Sequence, residues 1–317
     1  MSGRPTRDAY GHALIELAEQ DPRVVVLDAD LSRSTRTEWF QARFPDRFFN
    51  LGIAEANMIG VAAGLAAAGK LPFATTYAIF IGRAFDQIRQ AVCYAGANVK
   101  IVATHGGLAA SYDGGSHQGI EDVALMRTLP GMTVLVPADY EQAREAVFAA
   151  AAHEGPVYIR LQKEDVPVLT PSGTPFCIGR AERLTEGSDV ALLAVGALTA
   201  EALAAAQTLR QEGISAEVVN LPTIKPLDVQ AVRESARRCG CVVTAEEHSV
   251  IGGLYEAVLA ALAGEVLAPV VPVAMQDRFG ETGPWRALLA RFGLDAEGIR
   301  AGAREAVRRK AAVRHPK

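Results

Sequence analysis

The stretch Asn50–Asn57, NLGIAEAN, runs straight into MIGVAAGLAAAG (58–69), so one carboxylate, Glu55, leads a helix that is apolar on nearly every face. A helix without a polar face is expected to be buried. A carboxylate at its entrance is then desolvated, which costs free energy unless the group has a partner or a task.

Outward from this helix, short β-branched runs take turns with helical patterns. VVVLD (24–28), LPFATT (71–76), KIVATH (100–105), MTVLVPAD (132–139) and GPVYIRL (155–161) read as strands. Between them Asp8–Gln20, Thr35–Phe44, Ala54–Ala68, Ile81–Tyr94 and Asp139–His153 have helical length and period. Alternation of this kind implies a mostly parallel, doubly wound sheet covered on both faces. The segment DVPVLTPSGTPF (165–176) carries three prolines and no helical period. It breaks the pattern. The alternation restarts with DVALLAV (189–195), AEVVNL (216–221), CVVTAEE (241–247) and APVVPVAM (268–275). The expected organisation is an α/β domain over 1–168, a linker over 169–180 and a smaller α/β domain over 181–317.

Composition narrows the function. The 317 residues are 50% apolar, ample for two cores, and carry a formal net charge of −4. No basic stripe suits nucleic acid or an anionic membrane; Arg308, Arg309 and Lys310 form only a short cluster. The apolar stretch 59–81 is interrupted by Lys70 and Pro72 and is unsuited to a bilayer span, and the N-terminus enters an amphipathic segment without an apolar signal core. A cytoplasmic protein is expected. The four cysteines, Cys93, Cys177, Cys239 and Cys241, are spaced neither for zinc nor for a disulfide framework.

In open α/β sheets ligands gather at the carboxyl ends of strands, and the unusual residues stand there. Asp28 and Asp30 follow VVVLD, Tyr77 and Phe80 follow LPFATT, and the loop THGGLAASYDGGSHQGIE (104–121) follows KIVATH. His105, Asp113 and His117 lie in that loop among glycines that let backbone and imidazole approach a small ligand. Histidine near its ordinary pKa both donates and accepts hydrogen bonds to hydroxyls, or shuttles a proton. A long loop with surface histidines is the competing reading.

Taken in order, these strings resemble the transketolase family, specifically its pyrimidine-binding and C-terminal domains. Gly52, Ile53, Ala54 and Glu55 match its G-I-x-E motif; Thr104 and His105, then Asp113, Gly114, His117 and Gln118, match its T-H and D-G-x-x-H-Q signature. TIKPLD (223–228) and AEEHSVIGGL (245–254) look like stretches of transketolases, deoxyxylulose-phosphate synthases and 2-oxo acid dehydrogenase β subunits. The resemblance implies thiamine diphosphate as cofactor, with Glu55 sharing a proton with its aminopyrimidine, Phe80 stacking under that ring, and Tyr77, Asp30 and Arg83 nearby. For Asp30 a helix-capping role with Ser32 or Ser34 competes.

The resemblance assigns His105, Asp113 and His117 to sugar hydroxyls and the reacting carbonyl, and Arg7 and Ser34 to a substrate phosphate, for which an arginine fork is suited. Arg83 and Arg160 are further candidates for substrate contact, and both could be structural ion-pair partners instead. Lys163 stands where the family usually has arginine, and Ala56 where it has His or Gln. Both bear on the acceptor. The family's GDG motif for the diphosphate and Mg²⁺ is absent from the sequence. That implies a partner polypeptide, an N-terminal transketolase subunit, holding both, in an α2β2 assembly. A 2-oxo acid dehydrogenase β subunit and a noncatalytic structural subunit are the alternatives.

Overall fold

The computed structural model describes residues 3–314. Seven strands form the first sheet, in the order Thr223–Lys225, Thr133–Leu135, Val157–Arg160, Lys100–Thr104, Leu71–Tyr77, Val24–Asp28, Phe48–Asn50. All neighbours pair parallel except the edge strand Thr223–Lys225, which runs antiparallel to Thr133–Leu135. Every residue of Val24–Asp28, Leu71–Tyr77 and Lys100–Thr104 is buried, as uninterrupted apolar and β-branched runs require when helices cover both faces. The second sheet is ordered Val270–Met275, Val242–Ser249, Val190–Ala194, Ala216–Asn220, Glu182–Thr185, parallel except for its last strand. The expected α/β class, a doubly wound pyrimidine-type sheet followed by a smaller α/β unit, is the observed one. Gly3–Arg4 pairs with Val166–Pro167 in a separate ribbon.

Thr223–Lys225 comes from the second half of the chain yet completes the first sheet, and one apolar cluster runs from Val25 and Met58 through Val134 to Leu193 and Leu254. The halves are therefore packed as one body. Asp139 joins the pieces locally: its buried carboxylate caps the helix Tyr140–Ala152 through the N–H of Gln142 (2.8 Å) and accepts from the N–H groups of Leu169 and Thr170 (2.7 and 2.6 Å).

Several expectations are corrected. The segment 35–44 is not one helix but two, Ser32–Thr35 and Thr37–Arg43, separated by Arg36 at φ 70°. The hydroxyls of Thr35 and Thr37 both donate to the buried carboxylate of Asp28 at 2.8 Å, and turning both inward sends the residue between them through the left-handed region. Residues 81–94 form no plain α-helix: a 3₁₀ turn, Phe80–Ala84, passes through Phe85–Gln87 into a π-helical stretch, Ile88–Tyr94. The strand at 132–139 shrinks to Thr133–Leu135, because Val136 already turns its N–H to Pro222. The helix Glu55–Ala67 buries only Glu55, Met58, Ile59 and Ala62, and its Gly60, Gly64 and Ala67 are exposed. Glycine and alanine carry too little apolar surface to force that face inside.

Among the described residues no helix is long and apolar enough to cross a membrane. Replacing Asp139 by Ala is expected to lower stability by about 2–4 kcal/mol, from a lost cap and two N–H groups, one buried and one partly buried, left unpaired. Denaturant unfolding of the chain measures it.

Candidate active site

The carboxyl ends of Val24–Asp28, Leu71–Tyr77 and Lys100–Thr104 open on one side, and the sequence-predicted residues collect there. Glu55 stands at the first turn of its helix, 3% exposed, and its partner is Arg83, whose Nη1 donates to Oε1 at 3.1 Å. Arg83 itself is 54% exposed, and its guanidinium lies 4.4 Å over the ring of Phe80. A flat, donating cation thus rests on an aromatic face and bonds a buried carboxylate. An aminopyrimidine meets the same two demands, a stacking surface and a donor toward Glu55, so these residues fit that part of thiamine diphosphate.

Phe80 stacks on Tyr77 (centroids 5.6 Å apart, planes at 4°), Tyr77 stacks on His105 (3.8 Å, 22°), and His117 meets Phe80 edge-on (5.4 Å, 74°). Tyr77 also hydrogen-bonds Ser34, whose carbonyl accepts from Arg7 Nη1 at 2.9 Å. Arg7 Nη1 further lies 3.4 Å from His105 Nε2. A guanidinium can only donate, so Nε2 accepts and the ring proton sits on Nδ1, facing Thr104 Oγ1 at 2.8 Å. His105 is buried and beset by cations: desolvation first, then Arg7, Lys163 and Arg36, pull its pKa down to about 2. The expectation of an imidazole near its ordinary pKa is corrected: the ring is neutral, accepting at Nε2 and carrying its proton on Nδ1. Its backbone is held at φ 59°, strain that clusters at functional sites.

The remaining predicted residues divide. Asp113 is exposed near the tip of the loop, within electrostatic reach of Tyr77, and His117 is half-buried with Nδ1 3.0 Å from Ser116 Oγ. Asp30, at φ 65°, is tied to Asn50: its N–H donates to Asn50 Oδ1 (3.2 Å), which also accepts from Gly52 (3.0 Å). It caps no helix; Asp28 instead takes the N–H of Leu31. Arg160 is a correction. Its buried guanidinium is committed to Asp122 (2.9 Å) and to the carbonyls of Gly119 and Glu247 (both 2.9 Å), which makes it scaffold beneath the loop and not a substrate contact.

An open cleft of about 590 Å³ lies beside this group, its charged lining made of Arg7, Arg36, Lys163 and Arg286 together with Asp8, Glu164 and Asp165. Arg7 Nε is buried in it with no hydrogen-bond partner. Arg36, held by Asp8 at 2.7 Å, is not marked by the sequence, where it falls in the first turn of the helix expected over 35–44. No group of three or more His, Cys, Asp or Glu among the described residues is arranged to hold a metal ion.

Residues 2–168 match the family described as transketolase, pyrimidine binding domain, and residues 179–299 match transketolase, C-terminal domain. The chain belongs to the transketolase family. It is 46% identical over 305 residues to the 6-deoxy-6-sulfo-D-fructose transketolase subunit SqwH of Clostridium sp. (strain MSTE9), covering 96% of this chain and 95% of that protein. It is 44% identical to a putative transketolase C-terminal section of Methanocaldococcus jannaschii, over 92% of this chain and 93% of that protein. A solved structure described as a split gene transketolase, inactive beta4 tetramer, superimposes with a TM-score of 0.89 at 52% identity, covering 97% of this chain and 99% of that one. Against the transketolase of Leishmania mexicana, 26% identical with a TM-score of 0.83, this chain spans 46% of the length. The transketolase chain described here thus belongs with the C-terminal subunits of split transketolases.

The neutral His105 has a consequence for stability. Its folded pKa lies below the unfolded value near 6.5, so the unfolded chain binds a proton that the folded chain does not, and stability falls as pH drops below that value. Replacing His105 by Gln is expected to remove about 2 kcal/mol of the stability lost between neutrality and pH of about 5. Denaturant melts at the two pH values measure the difference, and an unchanged acid slope would contradict the assignment.

Proposed function

We propose that this chain is the C-terminal subunit of a two-component transketolase, moving a two-carbon ketol unit from an anionic ketose to an aldose in the cytoplasm. The observation that carries the reading is Glu55, buried and bonded to a flat cation that stacks on Phe80. When bound, thiamine diphosphate supplies the electron sink for the pair released as the ketose C2–C3 bond breaks.

This chain's residues supply the rest. Phe80 would hold the pyrimidine by stacking with Tyr77 beside it, Arg83 would give up its place, and Glu55 would hold and return a proton at the pyrimidine edge. His105 Nε2, kept unprotonated, accepts from a substrate hydroxyl, with His117 and Asp113 farther along the same loop. Arg7, Arg36 and Lys163 take a terminal anion. A lysine at 163 keeps charge without a fork, which suits phosphate or sulfonate alike. The names of relatives include both kinds of substrate, an apulose 4-phosphate and a 6-deoxy-6-sulfo-D-fructose. The diphosphate and Mg²⁺ belong to a partner polypeptide with a GDG motif, in an α2β2 assembly with sites between subunits. No observation favours the acyl-transferring reading over this one.

Coexpression with such a partner is expected to give thiamine-dependent ketol transfer, with kcat/KM at least about tenfold higher for phosphorylated or sulfonated ketoses than for neutral ones. Glu55→Ala is expected to lower kcat by about 10²–10⁴-fold in the complex. Transfer from none of these ketoses would sink the assignment, and full activity of the Glu55 variant would return the subunit to a structural role. Arg36→Ala is expected to raise KM about tenfold for an anionic ketose and leave a neutral one unaffected.

A further inference from the structure

The second half of the chain supplies none of the groups assigned above to cofactor, and it reaches the cleft only through Pro284, Trp285 and Arg286. It does send one buried carboxylate under the histidine loop. Glu247, on the strand Val242–Ser249, accepts at Oε1 from the N–H of Leu108 (2.6 Å) and from Trp285 Nε1 (3.0 Å), and at Oε2 from Gln162 Nε2 (3.1 Å). Leu108 follows the turn His105–Gly106–Gly107. Gly107 is at φ 69°, and a Cβ there would lie 2.6 Å from Glu247 Cγ, so the carboxylate and the turn fit only with glycine between them.

Gln162 carries the contact onward. Its Oε1 accepts from the N–H of Lys163 (2.8 Å), which fixes its Nε2 toward Glu247, and its carbonyl accepts from the N–H of Arg7 (3.2 Å). A single oxygen pair therefore ends three chains of contact: to the turn that sets His105, to Lys163, and to the start of the helix bearing Arg7. Burial raises the Glu247 pKa to about 7 against the pull of Arg160 and these donors. That is a costly place for a carboxylate with no other use.

We propose that Glu247 is a positioning residue: through Leu108 and Gln162 it sets the backbone of the His105 turn and of the Lys163 rim, making the C-terminal half a built part of the substrate site. Its catalytic consequence rests on the transketolase reading above; its structural content does not.

Hydrogen exchange of the chain, resolved to single amides, tests it. In Glu247→Ala, protection at Leu108 and Lys163 is expected to fall at least about tenfold while the strand amides of Val102 and Leu192 hold. Glu247→Gln keeps an acceptor for Leu108 but faces Gln162 with a second donor, so only Lys163 is expected to lose protection. The swap E247Q/Q162E restores the donor and acceptor order, and with it the Lys163 amide. In the reconstituted complex KM for an anionic ketose is expected to rise in E247Q and to recover in the swap, a recovery that mere loss of packing would not produce. Unchanged protection at Leu108 and Lys163 in E247A, or a swap no better than E247Q, overturns the proposal. Absence of ketol transfer in the unsubstituted complex overturns the function and leaves the exchange result to stand by itself.

Discussion

Parallel pairing is the constraint on which the rest of this molecule depends. Strands buried on both faces admit polar side chains only where they end, and helices crossing back leave the carboxyl ends on one common edge. Asp28 and Tyr77 close their strands there, His105 follows Thr104, and Glu247 lies near the end of its strand in the second sheet. All four are buried. These four are groups that water cannot serve, and their geometry follows from how each finds a partner within the protein.

The partnerships are of two kinds. Asp28 is enclosed by the hydroxyls of Thr35 and Thr37 and the N–H of Leu31, and Asp122 by Arg160 and Tyr158; in both, donor and acceptor are interior. Glu55 differs, because it is interior while Arg83, its partner, is half in solvent. Withdrawing Arg83 to water costs that side chain little and leaves a carboxylate in need of a new donor. An interior acid with a removable partner is a place for a ligand, whereas an interior acid with an interior partner is framework. The same test moves Arg160 out of the site and keeps Arg83 in it.

This distinction marks what could be read from sequence. The alternation of runs such as VVVLD and KIVAT with helical segments fixes fold class, since the periodicity is local, and the order of the Glu55, His105 and His117 motifs points to the candidate site. Contacts set by distant partners were not legible. Nothing in STRT says that two threonines turn to Asp28 and expose Arg36 to the cleft, and nothing in TIK says that this strand joins the other half's sheet. Arg160 looked like a candidate ligand because its sequence neighbours conceal Asp122, 38 residues away. Glu247 left a usable signal, a carboxylate pair at the end of an apolar strand, which reads as buried charge.

The electrostatics of the cleft connect substrate choice to proton position. Arg7, Arg36 and Lys163 each disfavour a proton on His105, and Arg7 occupies its Nε2. An anion seated on those cations would cancel part of their field and draw the Arg7 guanidinium toward itself, freeing Nε2 as an acceptor at the moment a substrate hydroxyl arrives. A neutral ketose would leave the cations unopposed and Nε2 still engaged. On the transketolase reading, then, the terminal anion does more than add affinity. It would switch the imidazole from a partner of Arg7 into a partner of the substrate, so that binding energy gained far from the reacting carbonyl would be expressed at it.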